Sequence, residues 1–528
     1  MKNLNKLLLA LILLLAVFLR FNGIAANPPG LYWDEAVIGY DAYSILRTGR
    51  DHHNVHLPLF FESFGDWKLP VYEYLTIPSV AVLGLNELAV RFPSALLGSF
   101  SVLLIYLVLK NQTKNEKLAL CCALLLAISP WHIQFSRAGF ESSSALFIFL
   151  LGYYLVVKAI GSQKAKLLIG GLVLIALSQY TYHAYRIFAP LFLLGLGFIY
   201  RDSLLKFKKL ALVGLLVFFT ISAPIIAFTF SKEGVIRASS QKATSSVELE
   251  KARLHFDQFS KPPFRFLSKY LYQESLYNSQ ILLKNYLDHF SSTFLFFRGD
   301  QVGRHSLVDL GQVNVFELPL ILIGIICLKN LKNRKFIRTM ILWLVIAPIP
   351  AMIVMPTPHA NRSLQMIIPL VFLGGVGLEY LISHTHKIVI GLFGLWMFGV
   401  FLIYTNQLFG SYPKKFAPDW QAGNREMVNY VKSISAKYKK VYITNIAGVP
   451  YIYLLFYTKY DPSLYQKAGS SKGFANFQIV DTNAKIYKEK NVLYVAPVWQ
   501  KIEGNALRAI NDSRPEPVYK VWELNVNR

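Results

Sequence analysis

The feature that most constrains this chain is a series of apolar runs, many about the length of a membrane crossing, separated by short clusters of lysine and arginine. With 54% hydrophobic and only 16% charged residues over 528 positions, the sequence is too apolar for a soluble domain of this length and reads as a mainly α, polytopic membrane protein. The formal net charge of +25 does not point to nucleic acid, because the basic residues fall between apolar runs as they do in cytoplasmic loops. Cys121, Cys122 and Cys327 all lie inside apolar runs, which excludes a disulfide framework and a CxxC metal site.

Hydropathy and length place about eleven spans, at residues 6–25, 92–110, 118–130, 142–158, 166–179, 187–200, 209–229, 316–330, 336–355, 363–383 and 387–409. The first run, 7–19, followed by Ala25 and Ala26, also resembles a secretory signal with a small-residue cleavage site. A retained span is the preferred reading, since Arg20 can snorkel and lengthen it. The segment 69–85, broken by Pro70, Glu73 and Pro78, decides the side of every later loop. If it lies in the interface, the clusters at 110–117, 158–166, 201–209, 329–338 and 384–387 share one side with Lys2 and Lys6; if it spans, those clusters face out, against the positive-inside rule. The expectation is therefore an interfacial helix in a plasma-membrane protein, with a cytoplasmic amino terminus and an outer carboxyl terminus.

That topology divides the chain into a membrane domain, 1–409, and a small extracytoplasmic α/β domain, 410–528. The first outer loop covers 26–91 and a long outer loop covers 230–315. In the tail, KKVYITNI (439–446), YIYLLFY (451–457) and NVLYVAPV (491–498) predict strands, and NREMVNYVKSISAKY (424–438) predicts a helix. The excess of basic over acidic residues in the tail suits an anionic membrane surface or a solvated basic face.

The outer loops carry the candidate chemistry. Asp34 and Glu35 follow the first span in LYWDEAVIGYDAYSILRTGRD. Taken alone, Asp34 reads as a cap for a helix over Ala36–Leu46. Its surroundings favour more: HIQFSRAGFE brings Arg137 and Glu141 to the top of a span, SQYTYHAYR brings Tyr182, His183 and Arg186, and PTPHANR brings His359 and Arg362. Polar groups gathered at one end of many spans suggest a functional chamber. Cations around an acidic pair suit a phosphorylated lipid donor, because a phosphate leaves without a proton and needs positive charge, while one carboxylate serves as base toward an acceptor hydroxyl. This is glycosyl transfer, not hydrolysis between two carboxyl groups. Asp51, His52, His53, Asn54 and His56 form a possible metal site by composition; a solvated polar loop is the expectation.

The stretches YWDEAVIGYDAYSILRTGRD, GDWKLPVYEYL, ELAVRFPSALLGSFSVLLIYLV and SPWHIQFSRAGFESSSALF resemble the family 39 glycosyltransferases of GT-C fold, whose members include protein O-mannosyltransferases and the aminoarabinose transferase of lipid A. The resemblance covers the first 200 residues or so well and the later spans loosely. It implies that Asp34 is the catalytic base with Glu35 beside it, that Lys68 contacts donor phosphate, that Glu141 is a second acidic residue of the site with Arg137 as its partner, and that Arg362 is a further phosphate ligand. Lys68, Arg137 and Arg362 would hold the phosphate and Glu35 and Glu141 would orient the site; Tyr182, Arg186 and His359 complete the substrate-binding set. It requires no cofactor. The related oligosaccharyltransferases use a divalent metal, but their WWDYG motif is absent here, so a metal is possible without being implied.

The expected function is transfer of a hexose or pentose, with inversion, from a polyprenyl-phosphate donor to a protein, lipid or glycan acceptor on the outer face of the membrane. Two rivals are a lipid or glycan transporter, which would place ionisable residues at mid-membrane in repeated halves, and an inactive envelope scaffold.

Overall fold

A computed structural model describes residues 2–206, 208–235, 246–259, 273–446, 448–481, 491–502 and 504–524. Within the long outer loop, 236–245 and 260–272 lie outside the described residues. Every one of the eleven expected spans coincides with a helix. Among the described residues seven are long and apolar enough to cross a membrane alone, or eight if the pair Glu116–Ala127 and Pro130–Arg137, bent by 55°, counts as one. Ala165–Gln179 and Tyr185–Ile199 are shorter apolar helices. The segment after the acidic loop forms the helix Pro70–Leu83, 14 residues opened by Pro70 at its first position. At 1.5 Å per residue it reaches about 21 Å, short of the roughly 30 Å hydrocarbon core.

The chain separates into two compact units. One comprises Met1–Ala16, Gly98–Phe135 and Ser142–Phe401; the other comprises Val17–Leu97, Ser136–Glu141 and Leu402–Arg528. The second unit thus joins the acidic first loop to the tail. It is built on the helix Trp33–Thr48, with an antiparallel hairpin of β1 (Phe61–Ser63) and β2 (Asp66–Lys68) and the helix Pro70–Leu83.

The tail contributes a six-stranded sheet of β3 (Lys440–Thr444), β4 (Gly473–Phe474), β5 (Phe477–Val480), β6 (Val492–Pro497), β7 (Asn505–Asn511) and β8 (Pro517–Leu524), in the order β4-β5-β3-β6-β8-β7. β3 runs parallel to β5 and β6, whereas β8 is antiparallel to β6 and β7. The expected strands near 439–446 and 491–498 are present, as is the helix Asn424–Ile434. YIYLLFY is a correction: it lies in the helix Pro450–Thr458. An unbroken apolar run has no period to distinguish a buried strand from a buried helix. Here Pro450 at the first helical position and Lys459 in the left-handed conformation at the end bound a helix whose residues Tyr451–Phe456 are all buried.

One hydrophobic core spans loop and tail. Ala36, Val37 and Tyr40 of the first helix cluster with Met427, Val428, Ile452, Leu455 and Phe456 of the tail. Gly39 makes the approach possible, since a Cβ there would lie 2.5 Å from the Phe456 ring and 2.6 Å from Val90. A tail expressed alone as 410–528 would expose that face. We expect it to lack a cooperative thermal transition, and a sharp melt with dispersed amide resonances from the isolated tail would contradict this.

Candidate active site

The helix Trp33–Thr48 separates the roles of its two adjacent carboxylates. Tyr32 is the N-cap residue, and the side chain of Glu35, at the third helical position, accepts its backbone N–H at 3.1 Å. The capping role weighed for Asp34 as the alternative to chemistry is performed by Glu35. Glu35 is buried, takes 2.8 and 3.0 Å hydrogen bonds from the Arg91 guanidinium, and accepts the Gly139 N–H at 2.8 Å. Arg91 also donates to the carbonyls of Ile24, Pro28 and Gly30. Glu35 is thus fully engaged as the anchor of the loop, in a geometry that leaves it little capacity for substrate.

Asp34 turns the other way. Its side chain is 44% exposed and pairs at 2.8 Å with the ammonium of Lys68, which is 11% exposed. The hairpin places this lysine: Phe64 and Gly65, with φ of 56° and 77°, form a tight two-residue turn that puts Ser63 opposite Asp66 and Phe61 opposite Lys68. Burial alone would lower the Lys68 pKa, but the negative charges of Asp34 and then Glu141 outweigh it and raise it. Lys68 is a permanent cation. Glu141, half-buried at the start of the helix Glu141–Ser162, acts on Lys68 through this field.

The helix amino terminus is held by the tail. Trp33 N–H donates to Gln421 Oε1 at 3.1 Å, and the Tyr453 hydroxyl donates to the same oxygen. At the far end Gln466 Nε2 donates to Ser44 Oγ at 3.0 Å and to the Asp51 carbonyl at 2.8 Å. Backbone donors at the first turn of this helix favour negative charge, which suits the position of Asp34.

Sequence reading missed two residues here. Arg91 lies in the ELAVRFPSALL run, where a charged residue entering an apolar helix is a signal in itself. Glu73 interrupts the apolar segment 69–85. It is 1% exposed, neither carboxyl oxygen has a hydrogen-bond partner, and burial, followed by the charge of Asp41, raises its pKa well above the carboxylate range. It is held as the neutral acid.

Arg137 is buried and spends its guanidinium on the carbonyls of Leu19, Asn22 and Asn27 at 2.7–2.8 Å, with its charge also over the Phe409 ring. It clamps the chain that leads from the first helix into the acidic loop. Tyr182, Arg186, His359 and Arg362 belong to the other compact unit. There Tyr182 is buried, Arg186 donates to Thr229 Oγ1 at 3.3 Å and stacks on Phe228, and Arg362 is half-buried. His359 is buried against His305, with ring centroids 4.8 Å apart, and burial followed by the His305 and Arg362 charges keeps it neutral.

The 51–56 stretch is only in part the solvated loop expected: His53, Asn54 and His56 are exposed, but its first two residues are not. Asp51 and His52 are buried, because Asp41 on the first helix captures His52 through both its ring Nδ1, at 2.6 Å, and its backbone N–H, at 2.9 Å. Burial, with the Asp41 charge second, pushes the Asp51 carboxyl up to about 6. The native state then holds this proton more tightly than the unfolded chain, so stability falls as pH rises from about 4 to 6 and is level above. Asp51→Asn, which can still accept the Val55 N–H now taken by Asp51 Oδ1, is expected to raise the melting temperature at pH 7.5 and to match the parent near pH 4. A pH-independent difference would refute this origin.

Residues 68–228 match the family model described as dolichyl-phosphate-mannose-protein mannosyltransferase. The Bacillus subtilis (strain 168) protein YkcB, named provisionally as a mannosyltransferase, is 29% identical over 168 residues, 31% of this chain and 22% of that protein; the match thus spans about a fifth of that relative. In fold, the chain matches the crystal structure of ArnT from Cupriavidus metallidurans bound to undecaprenyl phosphate, with a TM-score of 0.58 and 12% identity over 97% of both chains. It matches the apo form of ArnT at 0.57, again with 12% identity over 97% of each. Over residues 68–228 the chain is thus similar to the model of the dolichyl-phosphate-mannose-protein mannosyltransferases, and its fold is like that of ArnT.

Proposed function

We propose that this protein is a membrane glycosyltransferase that moves a sugar from a polyprenyl-phosphate donor to an acceptor on the outer face of the membrane. The observation that carries the reading is the Asp34–Lys68 pair, a half-exposed carboxylate beside a largely enclosed, charged lysine. The family match over 68–228 and an ArnT fold captured with undecaprenyl phosphate support the donor class.

In this reading an acceptor hydroxyl attacks the anomeric carbon from the face opposite the phosphate, Asp34 takes the hydroxyl proton, and the phosphate leaves unprotonated against the Lys68 ammonium. A single displacement inverts the anomeric centre. Glu141 tunes the field at Lys68, and Arg362, Arg186 and Tyr182 are donor-binding groups. The acceptor is a protein, lipid or glycan, the amino terminus is cytoplasmic, and the tail is extracytoplasmic.

The test is purified protein in lipid bilayers with radiolabelled polyprenyl-phosphate mannose, glucose, galactose and aminoarabinose, scored for free polyprenyl phosphate. Release with one donor supports the reading. No release with any of them, from protein shown to be folded, would move the assignment to a transporter or scaffold.

A further inference from the structure

Far from the carboxylates in sequence, the first compact unit holds a second constellation. Asp300, His305 and His359 are all buried, and one potential ligand atom from each lies within 4.8 Å of the others. They come from two segments: Asp300 and His305 follow the π-helical turn Thr293–Phe297, and His359 precedes the 3-10 turn Leu364–Met366.

Part of this cluster is explained without a ligand. Asp300 Oδ2 lies 3.0 Å from His305 Nδ1 and accepts the Ala360 N–H at 2.8 Å, while Oδ1 accepts the Val302 N–H at 2.9 Å. His359 is what this leaves over. Its ring packs on His305 and it is 8% exposed, yet its Nδ1 has no hydrogen-bond partner. An unsatisfied buried ring nitrogen is costly, and the cluster around it offers an imidazole and a carboxylate, which are metal ligands.

The backbone around the cluster is fixed in advance. The His359 N–H donates to His289 Nε2 at 3.1 Å, and His289 Nδ1 is engaged by the Asn285 carbonyl at 2.7 Å. Ser363 Oγ donates to the His359 carbonyl and Ser306 Oγ to the Asp300 carbonyl. The indole of Trp131 donates to the Ala360 carbonyl at 3.0 Å. Such supporting bonds are what orient metal ligands.

We propose that Asp300, His305 and His359 bind one divalent transition-metal ion, zinc before others, which ties the segment 298–312 to the segment 356–362. Two imidazoles and a carboxylate with a fourth position for water suit zinc, whose bonds of about 2.0–2.2 Å to N and O place tetrahedral ligands about 3.3 Å apart. The observed separations, 3.0 Å for Asp300–His305 and at most 4.8 Å overall, need a closure of about 1–1.5 Å at the widest pair.

Metal content of full-length protein, loaded with ZnCl2 and washed by gel filtration, tests this. The parent should retain about one zinc per chain, and a cobalt-loaded sample should show the visible absorption of a low-symmetry four- or five-coordinate site. Asp300→Asn, His305→Gln and His359→Gln should each reduce zinc retention at least tenfold, whereas alanine at His384 and His386, which are exposed, should not. Chelator treatment should lower the melting temperature of the parent but not of His359→Gln. The isosteric His359→Gln variant guards against misfolding: if it folds and still holds one zinc, or if the folded parent retains none, the proposal fails.

Discussion

Asp34→Asn is expected to lower the turnover of lipid-linked sugar by about 10² to 10⁴ fold, the usual worth of a positioned general base, with little effect on expression or melting temperature. The reasoning rests on exposure. Asp34 is half open, so asparagine preserves shape while losing basicity and the charge opposite Lys68, whose ammonium keeps the field of Glu141. Single-turnover release of polyprenyl phosphate measures the effect, and donor binding, measured separately, should change far less. A variant that retains a tenth or more of parental turnover would remove Asp34 from the role of base.

The second large effect is structural and falls on the residue next to it. Arg91→Met is expected to destabilise the protein by about 3–5 kcal/mol, because it leaves the buried Glu35 carboxylate without its charge partner and frees three loop carbonyls that Arg91 satisfies. Detergent-solubilised melting curves would show it as a drop in midpoint and yield. The double variant Glu35→Gln, Arg91→Met should recover part of the loss, since no unpaired charge then remains. Additive losses in the double variant would show that the pair is not coupled. The contrast between neighbours is the useful result: Asp34 fails in activity with the fold intact, and Arg91, acting through Glu35, fails in the fold.

Much of this was open to sequence reading. Membrane spans announce themselves because hydrocarbon tolerates few charges over about twenty residues, and all eleven expected segments are helices. The hairpin carrying Lys68 lies in a stretch, GDWKLP, whose glycine and proline mark the turn and the next helix. The YIYLLFY segment misled because its burial on all sides erased the periodicity that separates helix from strand. Asp51 and His52, within the loop at 51–56, misled for a different reason. Polar residues read as solvated unless a partner is visible, and Asp41, eleven residues before His52, becomes a partner only when the chain folds back.

By itself the sequence determined the helical membrane class, the acidic loop after the first span, and the residue types at Asp34 and Lys68, since these depend on local composition and spacing. Only the tertiary structure decided which of two adjacent carboxylates is open and which is locked, that Arg91 does the locking, and that the tail shares a core with the first loop. Those outcomes depend on contacts between residues tens to hundreds of positions apart, such as Glu35 with Gly139 or Trp33 with Gln421. Neither local pattern nor charge count records such pairings, because burial sets the cost of each charge and the folded chain sets burial.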